Sequence, residues 1–158
     1  DLATRRVYLG GITANPDRKW MMQVAKNVTD SLEGFLREKR HLIIDRDCKY
    51  CDAFVHLLEG AGVNMVRLPA KSPNLNAHAE RFVRTIKDEC TDRLIFFGER
   101  SLHRAEVEFL EFHNRERFHQ GMNNELLTPR DSAGSVHGEL VCRGRLGGML
   151  KYCSRQAA

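Results

Sequence analysis

The sequence predicts a mixed α/β fold, and three observations predict it. Residues 41–45 and 63–68 are short apolar runs with the length of buried strands, residues 51–60 form a helical pattern between them, and longer stretches on either side repeat apolar residues at helical spacing. Strand, helix and strand in that order is an α/β pattern.

The elements follow in order. Arg6-Val7-Tyr8-Leu9-Gly10-Gly11-Ile12 is strand-like. Asn15-Pro16-Asp17 then supplies a helix cap with proline at the first helical position. Trp20, Met21, Val24, Ala25, Val28, Leu32, Phe35 and Leu36 keep helical spacing, so a helix is expected over residues 16–38. His41-Leu42-Ile43-Ile44-Asp45 reads as a buried strand that presents an acid at its C-terminal edge. After the second strand, Pro69 and Ser72-Pro73 break the chain before helices expected over 76–90 and 102–117. Leu140-Val141-Cys142-Arg143-Gly144-Arg145-Leu146 and Met149-Leu150-Lys151-Tyr152-Cys153 flank Gly147-Gly148, a β-hairpin signal. This divides the chain into residues 1–131 and a basic hairpin extension, residues 132–158.

Composition narrows the function classes. With 158 residues, 42% hydrophobic and 29% charged, the chain suits one domain with a core and excludes wholesale disorder or a fibrous repeat. Charged residues interrupt every apolar stretch well short of the roughly 18 residues that span a bilayer, which excludes a membrane span, and no membrane is expected as a partner. A net charge of +4, from 25 Lys and Arg against 21 Asp and Glu, suits a polyanionic partner without requiring one. The five cysteines form an odd and mostly scattered set without a signal peptide, so a reducing cytoplasm is the expected compartment.

Two carboxylates stand out: Asp45 at a strand end and Glu80 on the helix that follows Ser72-Pro73-Asn74-Leu75-Asn76-Ala77. On that helix Asn76, Arg84, Lys87 and Thr91 lie within about 40° of Glu80, while Ala79, Phe82, Val83, Ile86 and Cys90 form the apolar stripe. Carboxylates converging from a strand and a helix are hard oxygen ligands for Mg²⁺, and cations beside them can grip phosphates. A plainer reading stands beside this one, in which Glu80 pairs with Arg84 at i,i+4 and Asp45 caps the next turn.

Asp45-Arg46-Asp47-Cys48-Lys49-Tyr50, Leu68-Pro69 and Ser72-Pro73-Asn74-Leu75-Asn76-Ala77-His78-Ala79-Glu80-Arg81 resemble the core of DDE transposases and retroviral-type integrases of bacterial insertion sequences. His113-Asn114-Arg115-Glu116-Arg117-Phe118-His119-Gln120-Gly121-Met122 with Thr128-Pro129 resembles the same family's terminal signature. The resemblance implies a ribonuclease-H-like fold and metal-dependent DNA strand transfer with Mg²⁺ or Mn²⁺, DNA as substrate and transposase subunits in an oligomer as partners. It makes Asp45 and Glu80 the second and final acids of a catalytic triad and metal ligands. Arg81, Arg84 and Lys87 would contact DNA, with Asn76 orienting the helix start.

The family's first Asp and its first two strands have no counterpart in the chain, so the resemblance implies an N-terminally truncated core, inactive alone and of marginal stability. Ile44, His113 and Phe118 also depart from the family pattern. The alternative is a catalytically dead module that binds DNA or transposase subunits. Cys48-Lys49-Tyr50-Cys51 has the CxxC spacing of a zinc site, but only His56 is at hand as a weak third ligand. The seven histidines are spread singly.

Overall fold

The computed structural model describes residues 1–69, 76–128 and 138–155. The chain divides into two compact units, Gly10–Arg81 and a second made of Asp1–Leu9 with Phe82–Ala158.

The Gly10–Arg81 unit is built from α1 (Arg18–Val28), β1 (His41–Ile44), α2 (Asp52–Gly60) and β2 (Asn64–Arg67). β1 and β2 pair in parallel, His41 opposite Asn64 through Ile44 opposite Arg67, with α2 as the crossover between them. Both strands and α2 thus form as expected. α2 ends because Gly62 adopts φ +82, which lets the Val63 amide reach the Leu58 carbonyl and its own amide reach that of Glu59. α1 packs on α2, and Met21, Ala25, Leu36, Phe54, Leu58 and Val63 form the buried core. Trp20 and Leu42 pack against its edge.

Two expectations fail in this region. The helix predicted over 16–38 starts at Arg18 and stops at Val28. Asp17, not Asn15, caps it by accepting the Trp20 amide at 2.7 Å. At the other end the Asp30 carboxylate accepts the amides of both Leu32 and Glu33 at 2.9 Å, offering the backbone a turn in place of another helical one. Gly34 then approaches so closely that a Cβ there would lie 2.4 Å from the Asp30 carbonyl oxygen. The strand predicted over residues 6–12 does not form. Asn114 takes the place of a neighbouring strand at Val7: its Oδ1 accepts the Val7 amide at 3.0 Å and its Nδ2 donates to the Val7 carbonyl at 2.9 Å. Further along, Gly10 and Gly11 lie against the Val24 and Trp20 side chains.

The second unit holds the greater part of α3 (Ala77–Glu89), a 3-10 turn at Thr91–Arg93, α4 (Glu99–Arg115), the two-residue strands β3 (Phe118–His119) and β4 (Glu125–Leu126), and the hairpin β5 (Leu140–Arg145) and β6 (Leu150–Arg155). α4 begins three residues before the predicted start, at the Gly98 turn. The hairpin forms about Gly147 and Gly148, with Arg145 opposite Leu150 and Cys142 opposite Cys153. Its apolar residues enter the core of this unit, where Leu146 and Leu150 meet Cys90, Ala105 and Phe109, with Phe82, Ile86 and Phe96 packed around them.

The cysteines are not a uniformly scattered set. Cys142 and Cys153 are joined by a disulfide, while Cys48, Cys51 and Cys90 are thiols. The two partners stand at equal distances on either side of the Gly147-Gly148 turn, so a hairpin register centred on that turn brings them opposite each other. No helix among the described residues is long and apolar enough to cross a membrane.

Candidate active site

Asp45 follows β1 directly and is exposed. Its Oδ1 accepts the Asp47 amide at 3.2 Å, so the turn-capping reading holds for one oxygen. It makes no ion pair among the described residues, and the turn does not use its second oxygen.

The loop beyond is tightly tied. Asp47 accepts the Lys49 amide and the Lys49 ammonium, both at 2.9 Å, and these bonds lower the Asp47 pKa and raise that of Lys49. Burial raises the Tyr50 phenol, whose ring packs on Phe54. Two arginines sequence reasoning did not single out fasten this loop to the end of β2. Arg46 Nε donates to the Leu68 carbonyl at 3.0 Å and Arg67 Nη2 donates to the Tyr50 carbonyl at 3.3 Å. The signal available in the sequence was their placement, one after the first predicted strand and one at the end of the second.

Glu80 lies in the first turn of α3 and is exposed. The plainer reading fails here: Glu80 makes no ion pair among the described residues, Arg84 included. Asn76 immediately precedes α3 and is partly buried. Arg81, Arg84 and Lys87 are exposed along α3, as the helical spacing predicts. Phe82 and Ile86 of the apolar stripe pack on the core, whereas Val83 is left 48% exposed. Residues 72–75 of the proline-containing lead into α3 lie outside the described residues, as do Pro129 and His137.

Asp45 and Glu80 belong to the same compact unit, and as oxygen donors without ion pairs among the described residues they suit a hard divalent cation. Among the described residues, however, no three His, Cys, Asp or Glu side chains gather into a group able to hold a metal ion. The described carboxylates therefore do not complete a triad-held site. The same observation leaves Cys48 and Cys51, among the described residues, without the partners a zinc site needs.

The histidines are not all single. His113, on α4, is 8% exposed, with its ring edge-on to those of Phe82 and His119 at 5.1 and 4.7 Å. His119 Nε2 bonds the His113 carbonyl oxygen at 2.8 Å. Burial, with the positive charges of His119 and Arg117 nearby, pushes the His113 pKa down to about 4. His113 thus packs as an aromatic ring would, among Phe82, Phe109 and His119.

Residues 61–129 match the family model of the integrase core domain. That segment is similar to an integrase core. The match covers a little under half of the chain. It includes Asn76, Glu80, Arg81, Arg84 and Lys87, together with the signature from His113 to Thr128, and Asp45 lies N-terminal to it. No curated protein and no solved structure matches the chain. Integrase core domains are in general dependent on divalent metal ions and act on DNA, and their fold is the ribonuclease-H-like α/β type, with which the parallel β1–α2–β2 unit agrees.

Proposed function

We propose that the chain is part of a DDE-type transposase or integrase catalytic core, working in DNA integration and recombination by metal-dependent phosphodiester strand transfer. One observation carries the reading. Asp45 at the end of a parallel strand and Glu80 in the first turn of α3 are both exposed and make no ion pair among the described residues, and Glu80 falls within the integrase core match. Exposed carboxylates outside ion pairs keep their oxygens available as ligands for a hard cation.

In this reading the fold is a ribonuclease-H-like core without its first two strands, and Asp45 and Glu80 are the ligands offered to Mg²⁺ or Mn²⁺. Bound there, the metal would supply Lewis-acid activation at the scissile phosphate. The chain's own part is to bind and orient: Arg81, Arg84 and Lys87 hold the DNA backbone, and Asn76 sets the start of α3. With no third carboxylate gathered beside these two among the described residues, the chain by itself binds DNA and transfers no strands. The cell compartment is the cytoplasm, where such proteins meet bacterial DNA.

The test combines an electrophoretic DNA-binding assay, Mn²⁺ calorimetry and a strand-transfer assay on a labelled oligonucleotide duplex. The expected result is DNA binding, Mn²⁺ binding abolished by Asp45→Asn and by Glu80→Gln, and no strand transfer. Strand transfer by the chain alone would overturn the inactivity. DNA binding with no Mn²⁺ uptake would favour the second reading, a binding module for DNA or transposase subunits. Absence of both kinds of binding would defeat the proposal.

A further inference from the structure

The hairpin β5–β6 has two unlike faces. Strand alternation turns Leu150 and Tyr152 inward, where both are buried, and turns Lys151, Cys153 and Arg155 outward, where all three are exposed. Cys142 on β5 is also exposed and is paired in register with Cys153. The disulfide therefore lies on the outer face of the hairpin, open to solvent, with a cation two residues to each side of Cys153. Cations beside a cysteine favour the thiolate, which makes it a good leaving group in thiol–disulfide exchange. Cys90 is the opposite case, a buried thiol whose pKa burial raises.

The inner face is anchored to α4. Arg145 Nε and Nη2 donate to the two Glu116 oxygens at 2.7 and 2.8 Å. The Leu146 amide donates to Glu108 Oε2 at 2.9 Å, and Leu146 and Leu150 sit in the core against Ala105 and Phe109. A two-stranded ribbon is marginal in water without such support, so its order rests on this docking and on the disulfide together.

We infer that the Cys142–Cys153 disulfide is an exchangeable clasp, opened by dithiols of the cellular thiol-reductant class, and that opening it loosens the turn of the hairpin from α4. In the reaction a reductant thiolate attacks one sulfur of the bond, forming a mixed disulfide, and the other cysteine leaves as a thiolate and takes up a proton. The second reductant thiol then displaces the remaining cysteine. The protein disulfide gains two electrons and two protons, and the dithiol becomes a disulfide.

The experiment uses the whole chain, air-oxidised, with dithiothreitol as the dithiol. Brief native treatment followed by alkylation and peptide mapping is expected to label Cys142 and Cys153 well before Cys90. Hydrogen exchange at the Leu146 amide is expected to speed up about ten-fold or more on reduction, while the Phe109 amide within α4 is unchanged. The variant C142S/C153S should show the fast exchange with or without dithiothreitol, and K151Q/R155Q should open several-fold more slowly. Finding both cysteines as thiols in the oxidised protein would overturn the inference. So would a bond that opens only on denaturation, a Leu146 amide indifferent to reduction, or a loss of protection that spreads equally to Phe109.

Discussion

Arg145 grips Glu116 through two parallel hydrogen bonds of 2.7 and 2.8 Å, and Glu116, lying between Arg115 and Arg117 in the sequence, is only 2% exposed. The carboxylate is thus withdrawn from solvent and held by a residue 29 positions later. Removing the guanidinium would take both of these hydrogen bonds from a buried carboxylate, and breaking a buried pair by taking one partner away typically costs about 3 kcal/mol or more. Arg145→Met is accordingly expected to lower stability by about 3 kcal/mol in a urea titration. The double variant R145M/E116L should recover most of the loss, and a double variant no better than the single one would contradict the account.

Asn114 offers a second test, because one side chain serves both backbone groups of Val7. Asn114→Ala removes a donor and an acceptor together, which at about 1 kcal/mol per bond predicts a loss of roughly 2 kcal/mol. Hydrogen exchange at the Val7 amide should accelerate in parallel. A stable variant with an unchanged Val7 amide would mean that residues 6–9 are held by something else.

His113 ties stability to pH, and the sign follows from its environment. Its pKa falls from 6.5 in the unfolded chain to about 4 in the folded one, because burial and the charges of His119 and Arg117 oppose protonation. Below pH 6.5 the unfolded state therefore binds the proton first. The stabilisation is fully present above pH 6.5, is lost progressively as pH falls, and is exhausted near pH 4, amounting to something on the order of 3 kcal/mol. Urea titrations between pH 7 and 4 should show this decline in the native chain. His113→Phe keeps a ring against Phe82 and cannot titrate, so its curve should be flatter over the same range, and an equally steep curve would locate the effect in the carboxylates.

What the sequence made legible is what local pattern controls. β1, α2 and β2 announced themselves because each is short and bounded by turn residues, and the Gly147-Gly148 pair marked the hairpin. The end of α1 was hidden because Leu32, Phe35 and Leu36 continue the helical spacing, while Asp30 and Gly34 settle the matter through backbone geometry that periodicity does not register. Residues 6–12 have strand composition, but a strand needs a neighbour, and here an asparagine side chain from more than a hundred residues away supplies one. At the candidate site the acids and their order were legible, whereas the arginine bonds that fasten the Asp45 loop depend on the register of β1 against β2. Glu116 gave no sign of burial, since an acid between two arginines reads as a solvated surface charge.

The nucleic-acid reading of α3 rests on Arg84 and Lys87, which are exposed and make no ion pair among the described residues. Cations already paired give up that pairing to reach a phosphate, whereas these two are available at once. Each phosphate neutralised releases counterions and adds about 0.9 to the slope of log affinity against log salt. R84Q/K87Q should therefore weaken DNA binding across all sequences alike and flatten the slope by close to 2. Arg115, already paired with Glu111 at 3.6 Å, is the control, and Arg115→Gln should leave affinity and slope nearly unchanged. If the control weakened binding as much as the double variant, the interaction would be with net charge alone. If the double variant kept the native slope, the DNA backbone would run elsewhere on the molecule.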